Sequence, residues 1–255
     1  HPSDTAWMMK EPKITIIIPC YNSEKWIEQC AMSCLNQTYE SVEVIAVDNE
    51  SSDKTVAILG DIKKKSPELI ISSAKNIYPN CWDEAREEGL RLMTGDYVMT
   101  IGSDDYIDLE YVDKCMSVML SAPDKIKALQ TPIQGMQQRG EEFVSAGIIQ
   151  HSYKSKEQFK KLCLTKCPVN TPSVIYSAEL YHNGLLKTKP EVYGGAADYD
   201  LYCNLVDNDV FIYPFPQWLG FYYRWHPDQA TWNVHKENRN YDVEIQKYWR
   251  DKWKM

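Results

Sequence analysis

The chain has 255 residues, 44% of them apolar and 25% charged, and carries a net charge of −8. That length holds one large α/β domain or two small ones, and the composition is that of an ordinary globular protein. The acidic balance argues against a nucleic-acid polymer as partner, and no apolar run approaches the roughly 20 residues that span a bilayer.

Residues 14–19 are β-branched, uninterrupted and ended by a proline, which predicts a buried strand. Ser23 is placed to cap a helix reaching about Asn36, with Trp26, Ile27, Cys30, Ala31, Cys34 and Leu35 on one face. Val42–Val47 reads as the second strand. A helix then starts at Ser52 or Asp53 and ends in Lys63-Lys64-Lys65, where the helix dipole favours cations, and Pro67 stops it. Leu69-Ile70-Ile71 is a short third strand, residues 81–93 a helix followed by Gly95, residues 96–101 a strand, and Leu109–Leu120 an amphipathic helix. This alternation predicts a parallel, doubly wound sheet.

After Pro123 the pattern changes. Residues 126–150 hold two extended stretches around Arg139-Gly140, a hairpin pattern. Ser155–Leu162 reads as a helix, Asn170–Tyr176 as extended, Asp198–Val206 as a helix and Val210–Tyr213 as a strand; residues 217–226 are extended and aromatic-rich, and residues 237–250 form a terminal helix. No repeat or low-complexity linker divides the chain. Residues 1–255 are therefore expected as one domain: a nucleotide-binding half over 12–122, continuous with a mixed α+β half over 123–255 that forms the acceptor side and ends in the terminal helix.

Three of the apolar runs stop abruptly at polar residues: Pro19-Cys20-Tyr21-Asn22, Asp48-Asn49-Glu50-Ser51-Ser52-Asp53 and Gly102-Ser103-Asp104-Asp105. Ligands of open α/β sheets bind beyond the carboxyl ends of the strands, so these stretches deliver polar groups to one sheet edge. A fourth cluster, Tyr193 to Asp200, brings a further acid near the same edge. No G-x-G-x-x-G follows the first strand and no P-loop pattern occurs, which argues against dinucleotide and P-loop sites. Carboxylates repel a diphosphate unless a divalent cation sits between them, and Mg2+ and Mn2+ are held by one or two carboxylates with substrate phosphates completing the shell. Asp104 and Asp105 are thus candidate metal ligands; taken alone, they read more readily as a helix cap.

Six blocks in order, from residue 14 to 226, resemble the family 2 glycosyltransferases. They are Pro19-Cys20-Tyr21-Asn22; Val47 to Thr55, similar to V-D-D-G-S-x-D-x-T; Ala85-Arg86-Glu87-Glu88-Gly89-Leu90 with Gly95-Asp96-Tyr97, similar to A-R-N-x-G-L…G-D-Y; Gly102-Ser103-Asp104-Asp105, in the place of D-x-D-D; Ala197-Asp198-Tyr199-Asp200-Leu201, similar to E-D-Y-D-L; and Tyr223-Arg224-Trp225-His226, matching Y-R-x-H. The resemblance implies a GT-A fold and an inverting transfer of a sugar from a nucleotide-diphosphate donor, with UDP the commonest nucleotide, to a hydroxyl acceptor such as a glycan. It implies Mn2+ or Mg2+ as cofactor, Asp198 as general base, and Pro19, Tyr21, Asp48, Arg86, Ser103, Asp104 and Arg224 around the nucleotide. Asp104, with Asp105 and His226, would hold the metal. Gly102 departs from the first Asp of D-x-D-D, Ala197 from the Glu beside the base, Glu87 from Asn, and Asn49-Glu50 from Asp-Gly. Gly102 and Ala197 motivate an alternative, a degenerate module that binds a nucleotide sugar or glycan without turnover. A nucleotidyltransferase ranks last, for want of a Gly-rich basic loop after the first strand.

Asp200 is expected to face away from Asp198 in a capping or surface role. Gly194-Gly195 reads equally as a flexible acceptor loop and as a plain turn. Trp218, Trp225, Trp232, Trp249 and Trp253 are expected mostly in the core, with some available to stack on sugars. His151, His182 and His235 are given no role. The apolar stripe of the terminal helix suits either core closure or a homodimer. Eight scattered cysteines without zinc spacing read as buried small hydrophobes in a reducing compartment. With no secretory signal at the polar start, the expected location is cytoplasmic, with a membrane-peripheral position left open; the missing initiator methionine suggests either an artificial leading scar or a piece of a longer chain.

Overall fold

A computed structural model describes residues 11–77, 82–215, 217–227 and 239–255. Cys81, Trp232 and His235, and the beginnings of the helices expected over 81–93 and 237–250, lie outside the described residues. The front half runs β1 (Ile14–Cys20), α1 (Ile27–Leu35), β2 (Val42–Asp48), α2 (Thr55–Lys65), β3 (Ile70–Ser73), α3 (Asp83–Leu92), β4 (Tyr97–Thr100), β5 (Tyr106–Ile107) and α4 (Tyr111–Ser121). The back half adds β6 (Ala128–Gln130), β7 (Ile133–Arg139), β8 (Glu142–Ile149), α5 (Lys156–Cys163), β9 (Ile175–Ser177), α6 (Glu179–His182), α7 (Pro190–Tyr193), α8 (Ala197–Asp207), β10 (Ile212–Pro214), β11 (Phe221–Trp225) and α9 (Tyr241–Trp253).

Seven strands form one sheet in the order β10-β6-β9-β4-β1-β2-β3. β4, β1, β2 and β3 are mutually parallel, as are β10 and β6; β9 runs antiparallel to both of its neighbours. The mostly parallel sheet expected from the alternation is therefore present, with the antiparallel β9 an addition that the alternation does not predict, and strands from both halves of the chain build it. Side chains of β1 alternate between its faces: Ile14, Ile16 and Ile18 pack with α1, α2 and α4, while Ile17 packs with α3, α5, α8 and α9. Burial on both faces is why β1 is apolar without interruption.

A second sheet, β5-β11-β7-β8, stands beside the first. Its β7–β8 hairpin is the one predicted around Arg139-Gly140, with Gly140 at φ 66 in the turn. Two local expectations need correction. Ser23 does not cap α1 with its side chain: its carbonyl accepts from Trp26 and Ile27, and its hydroxyl turns to Ser103. Residues 170–176 are not continuously extended, because Pro172 sits in a 3-10 turn over Thr171–Ser173 before β9 begins. The terminal helix spends its apolar stripe on the core, burying Ile245 and Trp249 against the α8 side.

Candidate functional site

β1, β2 and β4 end side by side, with Cys20 opposite Asp48 and Ile17 opposite Thr100. The first three polar clusters thus share the carboxyl edge of the sheet. On β1, the Ile17 carbonyl accepts from Ile101 N–H at 2.9 Å and the Cys20 carbonyl accepts from Asn49 N–H at 2.8 Å, so odd residues face β4 and even ones β2. The N–H that Pro19 lacks would point past the last β4 pair, which is why an interior strand tolerates proline there. Tyr21 follows, 54% exposed. Asn22 takes φ 47 and ties the two loops together: its N–H donates to Ser51 Oγ at 2.9 Å, and its Oδ1 accepts from Ser52 N–H at 2.8 Å.

Asp48 is buried, and its Oδ2 accepts from Ser51 N–H at 3.2 Å. Among the described residues its Oδ1 has no partner, and neither has Asn49 Oδ1. A buried acceptor left so costs about 1–3 kcal/mol, which a donor from a bound ligand would relieve. Glu50, in the glycine position of the motif, holds φ 62, and its carboxylate accepts from Asn76 N–H at 2.8 Å.

Beyond β4 the chain turns through Gly102-Ser103-Asp104-Asp105 into β5. Asp104 Oδ2 lies 2.8 Å from His226 Nε2, and the His226 ring packs on Trp26 with centroids 5.3 Å apart. Asp105 is turned inward, 1% exposed, and its Oδ1 accepts from the Arg224 backbone N–H at 3.2 Å. Burial, and secondarily the neighbouring Asp104, push the Asp105 carboxyl well above the usual range. Ser103 is buried against the Ser23 hydroxyl. A Cβ on Gly102 would lie 3.0 Å from Asp104 Oδ1 and 3.1 Å from Asp105 Oδ2, so the two carboxylates already fill the space beside this glycine.

Asp198 stands in the first turn of α8. Its Oδ2 accepts from Thr171 Oγ1 at 2.6 Å and its Oδ1 accepts from Tyr199 N–H at 2.9 Å. Burial raises its pKa, and those two donors only partly offset the effect. It lines a cavity of about 470 Å3, open mouth included, together with Trp82, Arg86, Thr100, Thr171 and Gly194-Gly195. Arg86, on α3, is buried and donates to the Leu186 carbonyl at 2.9 Å.

The structure therefore brings Arg86 and Asp198 to one cavity, and Ser103, Asp104, Asp105, Arg224 and His226 to one cluster. β4 and the turn after it connect them: Thr100 lines the cavity and Asp104 belongs to the cluster, whereas neither Asp48 nor Asp104 lines the cavity. Thr171, which holds the acid on α8, was missed by sequence reading, since an isolated threonine in a loop carries no pattern. Asp200 corrects an expectation. It is buried, not at the surface, because Trp249 Nε1 of α9 donates to its Oδ1 at 2.9 Å.

Among the described residues, no three His, Cys, Asp or Glu side chains converge as a metal cluster. Asp104 and His226 supply one oxygen and one nitrogen donor side by side. The carboxylate fits Mn2+ or Mg2+ when phosphates and waters complete the shell, and the imidazole is the less usual donor for either. Cys20, Cys30, Cys34, Cys115, Cys163 and Cys203 are buried free thiols, as expected, and Cys167 is partly buried. No helix among the described residues is long and apolar enough to cross a membrane.

The family model described as "Glycosyl transferase family 2" matches residues 15–182. An uncharacterized glycosyltransferase of Haemophilus influenzae is 36% identical over 113 residues, 44% of this chain and 44% of that one. A poly(ribitol-phosphate) beta-glucosyltransferase of Bacillus spizizenii is 36% identical over 100 residues, 38% of this chain and 16% of that protein. The chain thus spans less than half the length of either of these curated relatives. Among solved structures, S. aureus TarS 1–349 in complex with UDP-GlcNAc superposes with a TM-score of 0.69 at 20% identity, covering 94% of this chain and 66% of that one. The mannosyltransferase PcManGT of Pyrobaculum calidifontis, in complex with GDP-Man and Mn2+, gives 0.62 at 14% identity, covering 95% and 71%. At such identities these structures speak for the fold, which is the GT-A fold expected from the motifs.

Proposed function

Because the chain belongs to the family 2 glycosyltransferases, we propose that it transfers a sugar from a UDP-linked donor to a hydroxyl of a glycan or other alcohol, with inversion at the anomeric carbon. The observation that carries this reading is the setting of Asp198: a carboxylate whose proton affinity is raised by burial, on the wall of the cavity that Thr100 at the end of β4 also lines. A base of raised pKa accepts a hydroxyl proton more readily near neutral pH. In the transfer, the acceptor oxygen bonds to the anomeric carbon while the bond to the diphosphate oxygen breaks. The electron pair leaves with the diphosphate, and Asp198 takes the hydroxyl proton. Thr171 keeps one carboxylate oxygen oriented.

Residues 12–122 supply the nucleotide side. The Pro19–Tyr21 backbone and Asp48 take the base and ribose, the unpartnered Asp48 Oδ1 accepting a donor from them. Arg86 would lie near the base or diphosphate, and Ser103 near the nucleotide. Asp104 and His226 would hold Mn2+ or Mg2+, with Asp105 buried behind them. When bound, such a cation neutralises charge on the departing diphosphate. Residues 123–255 supply the acceptor side and, through His226, one of the metal-holding groups. The buried free thiols suit a reducing, cytoplasmic setting.

The test is release of UDP from a panel of UDP-sugars with and without Mn2+, for the wild-type chain and Asp198→Asn. Metal-dependent release that the substitution abolishes is expected. UDP binding indifferent to metal, with no turnover of any donor, would favour the second reading, a binding module, for which Gly102 and Ala197 speak.

A further inference from the structure

Sequence resemblance places Arg224 at the diphosphate, yet its guanidinium is committed elsewhere. Nη1 donates to the Asp104 carbonyl at 2.6 Å, and Nη2 donates to Gln29 Oε1. The guanidinium carbon sits 4.6 Å from the ring centre of Tyr106, 5.1 Å from that of Trp26 and 5.6 Å from that of Phe143, and the residue is 5% exposed. Three aromatic faces attract a buried cation and replace part of the water it has lost.

The backbone of β11 explains this arrangement. β11 pairs antiparallel with β5, Tyr222 opposite Tyr106, and the two rings stack with centroids 4.8 Å apart. β11 therefore runs directly past the turn that leads into β5. Arg224 and His226 are two residues apart and point to the same face. Asp104 is held from that face twice: by its main chain through Arg224, and by its carboxylate through His226. The Arg224 N–H fixes Asp105 as well.

We propose that Arg224 is a positioning residue: it locks the Asp104–Asp105 turn so that the Asp104 carboxylate stands beside His226, and it does not bind the diphosphate. The inference rests on the reading that Asp104 and His226 serve a metal-bound diphosphate. A direct phosphate ligand would lend its charge to nucleotide affinity with or without metal. A positioning residue affects only the share of affinity that depends on Asp104.

Calorimetric titration with UDP, with and without Mn2+, separates these roles in Arg224→Gln and in the milder Gln29→Ala, whose exposed site keeps folding out of question. The expected result is metal-free affinity within about twofold of wild type for both variants. The gain conferred by Mn2+ should fall by about tenfold in Arg224→Gln and by a smaller factor in Gln29→Ala. A tenfold loss of metal-free affinity in Arg224→Gln, or tighter UDP binding once Gln29→Ala frees the guanidinium, overturns the proposal. A wild-type chain whose UDP affinity gains nothing from Mn2+ sinks the underlying reading, and the proposal with it.

Discussion

Gly102 stands where the family pattern carries an acid, and restoring that acid is a direct probe of the cluster. A Cβ at this position already lies 3.0 Å from Asp104 Oδ1 and 3.1 Å from Asp105 Oδ2. Gly102→Asp would therefore add a third carboxyl group to a pair of which one member, Asp105, is driven toward its neutral form by burial. Two carboxylates about 5 Å apart in an effective dielectric of about 20 repel by about 3 kcal/mol. Counting that repulsion once, against Asp104, the substitution should lower the melting temperature by about 5–10 °C in metal-free buffer at pH 7. The crowded carboxyl acquires a raised folded-state pKa, so the penalty is absent below its unfolded-state pKa, grows as pH rises from there, and is complete above the raised folded-state value. The deficit should shrink toward pH 4, and millimolar Mn2+ should recover more of it than it adds to wild type. Gly102→Asn, similar in size and uncharged, separates repulsion from crowding in the same thermal melts. If Gly102→Asp melts with Gly102→Asn at pH 7 and gains no more from Mn2+ than wild type, the electrostatic account of this cluster is wrong.

Asp198→Asn should cut donor turnover by about 10²–10⁴-fold while leaving UDP affinity unchanged. It should not lower the melting temperature at pH 7, because burial raises the pKa of Asp198 and its ionisation there opposes folding; a clear thermal loss would contradict that sign. Trp249→Phe removes the donor to buried Asp200 and should cost about 1–3 kcal/mol in chemical denaturation. That cost should be largest at pH 7–8 and fade in acid: burial raises the Asp200 pKa, the Trp249 N–H opposes the rise, and a protonated carboxyl no longer needs the indole donor. A pH-independent loss would instead indicate packing alone. Gly135→Ala would place a Cβ 2.4 Å from the Trp225 ring and should destabilise by about 1–3 kcal/mol in the same assay.

Much of the fold was legible in the sequence because it follows from local rules. The apolar run of β1, the lysine-ended α2, and the hairpin turn at Gly140 each signal their structure within a few residues. The motif blocks likewise announced one sheet edge, and β1, β2 and β4 do end together there. Asp200 was misread because its partner, Trp249, lies 49 residues away on another helix. Ser23 was misread as a cap because nothing local points to Ser103, 80 residues on.

Strand periodicity and polar strand ends, set by side-chain alternation and backbone sterics, were sufficient by themselves to specify a mostly parallel sheet with acids at its carboxyl edge. Which of those acids stands beside the imidazole of His226, which is buried against a backbone N–H, and which has its proton affinity raised beside Thr171 was decided only in three dimensions. Desolvation and hydrogen-bond donors determine a carboxylate's chemistry, and at this edge they arrive from β11 and the Thr171 turn, segments that the chain reaches tens of residues away from the acids they govern.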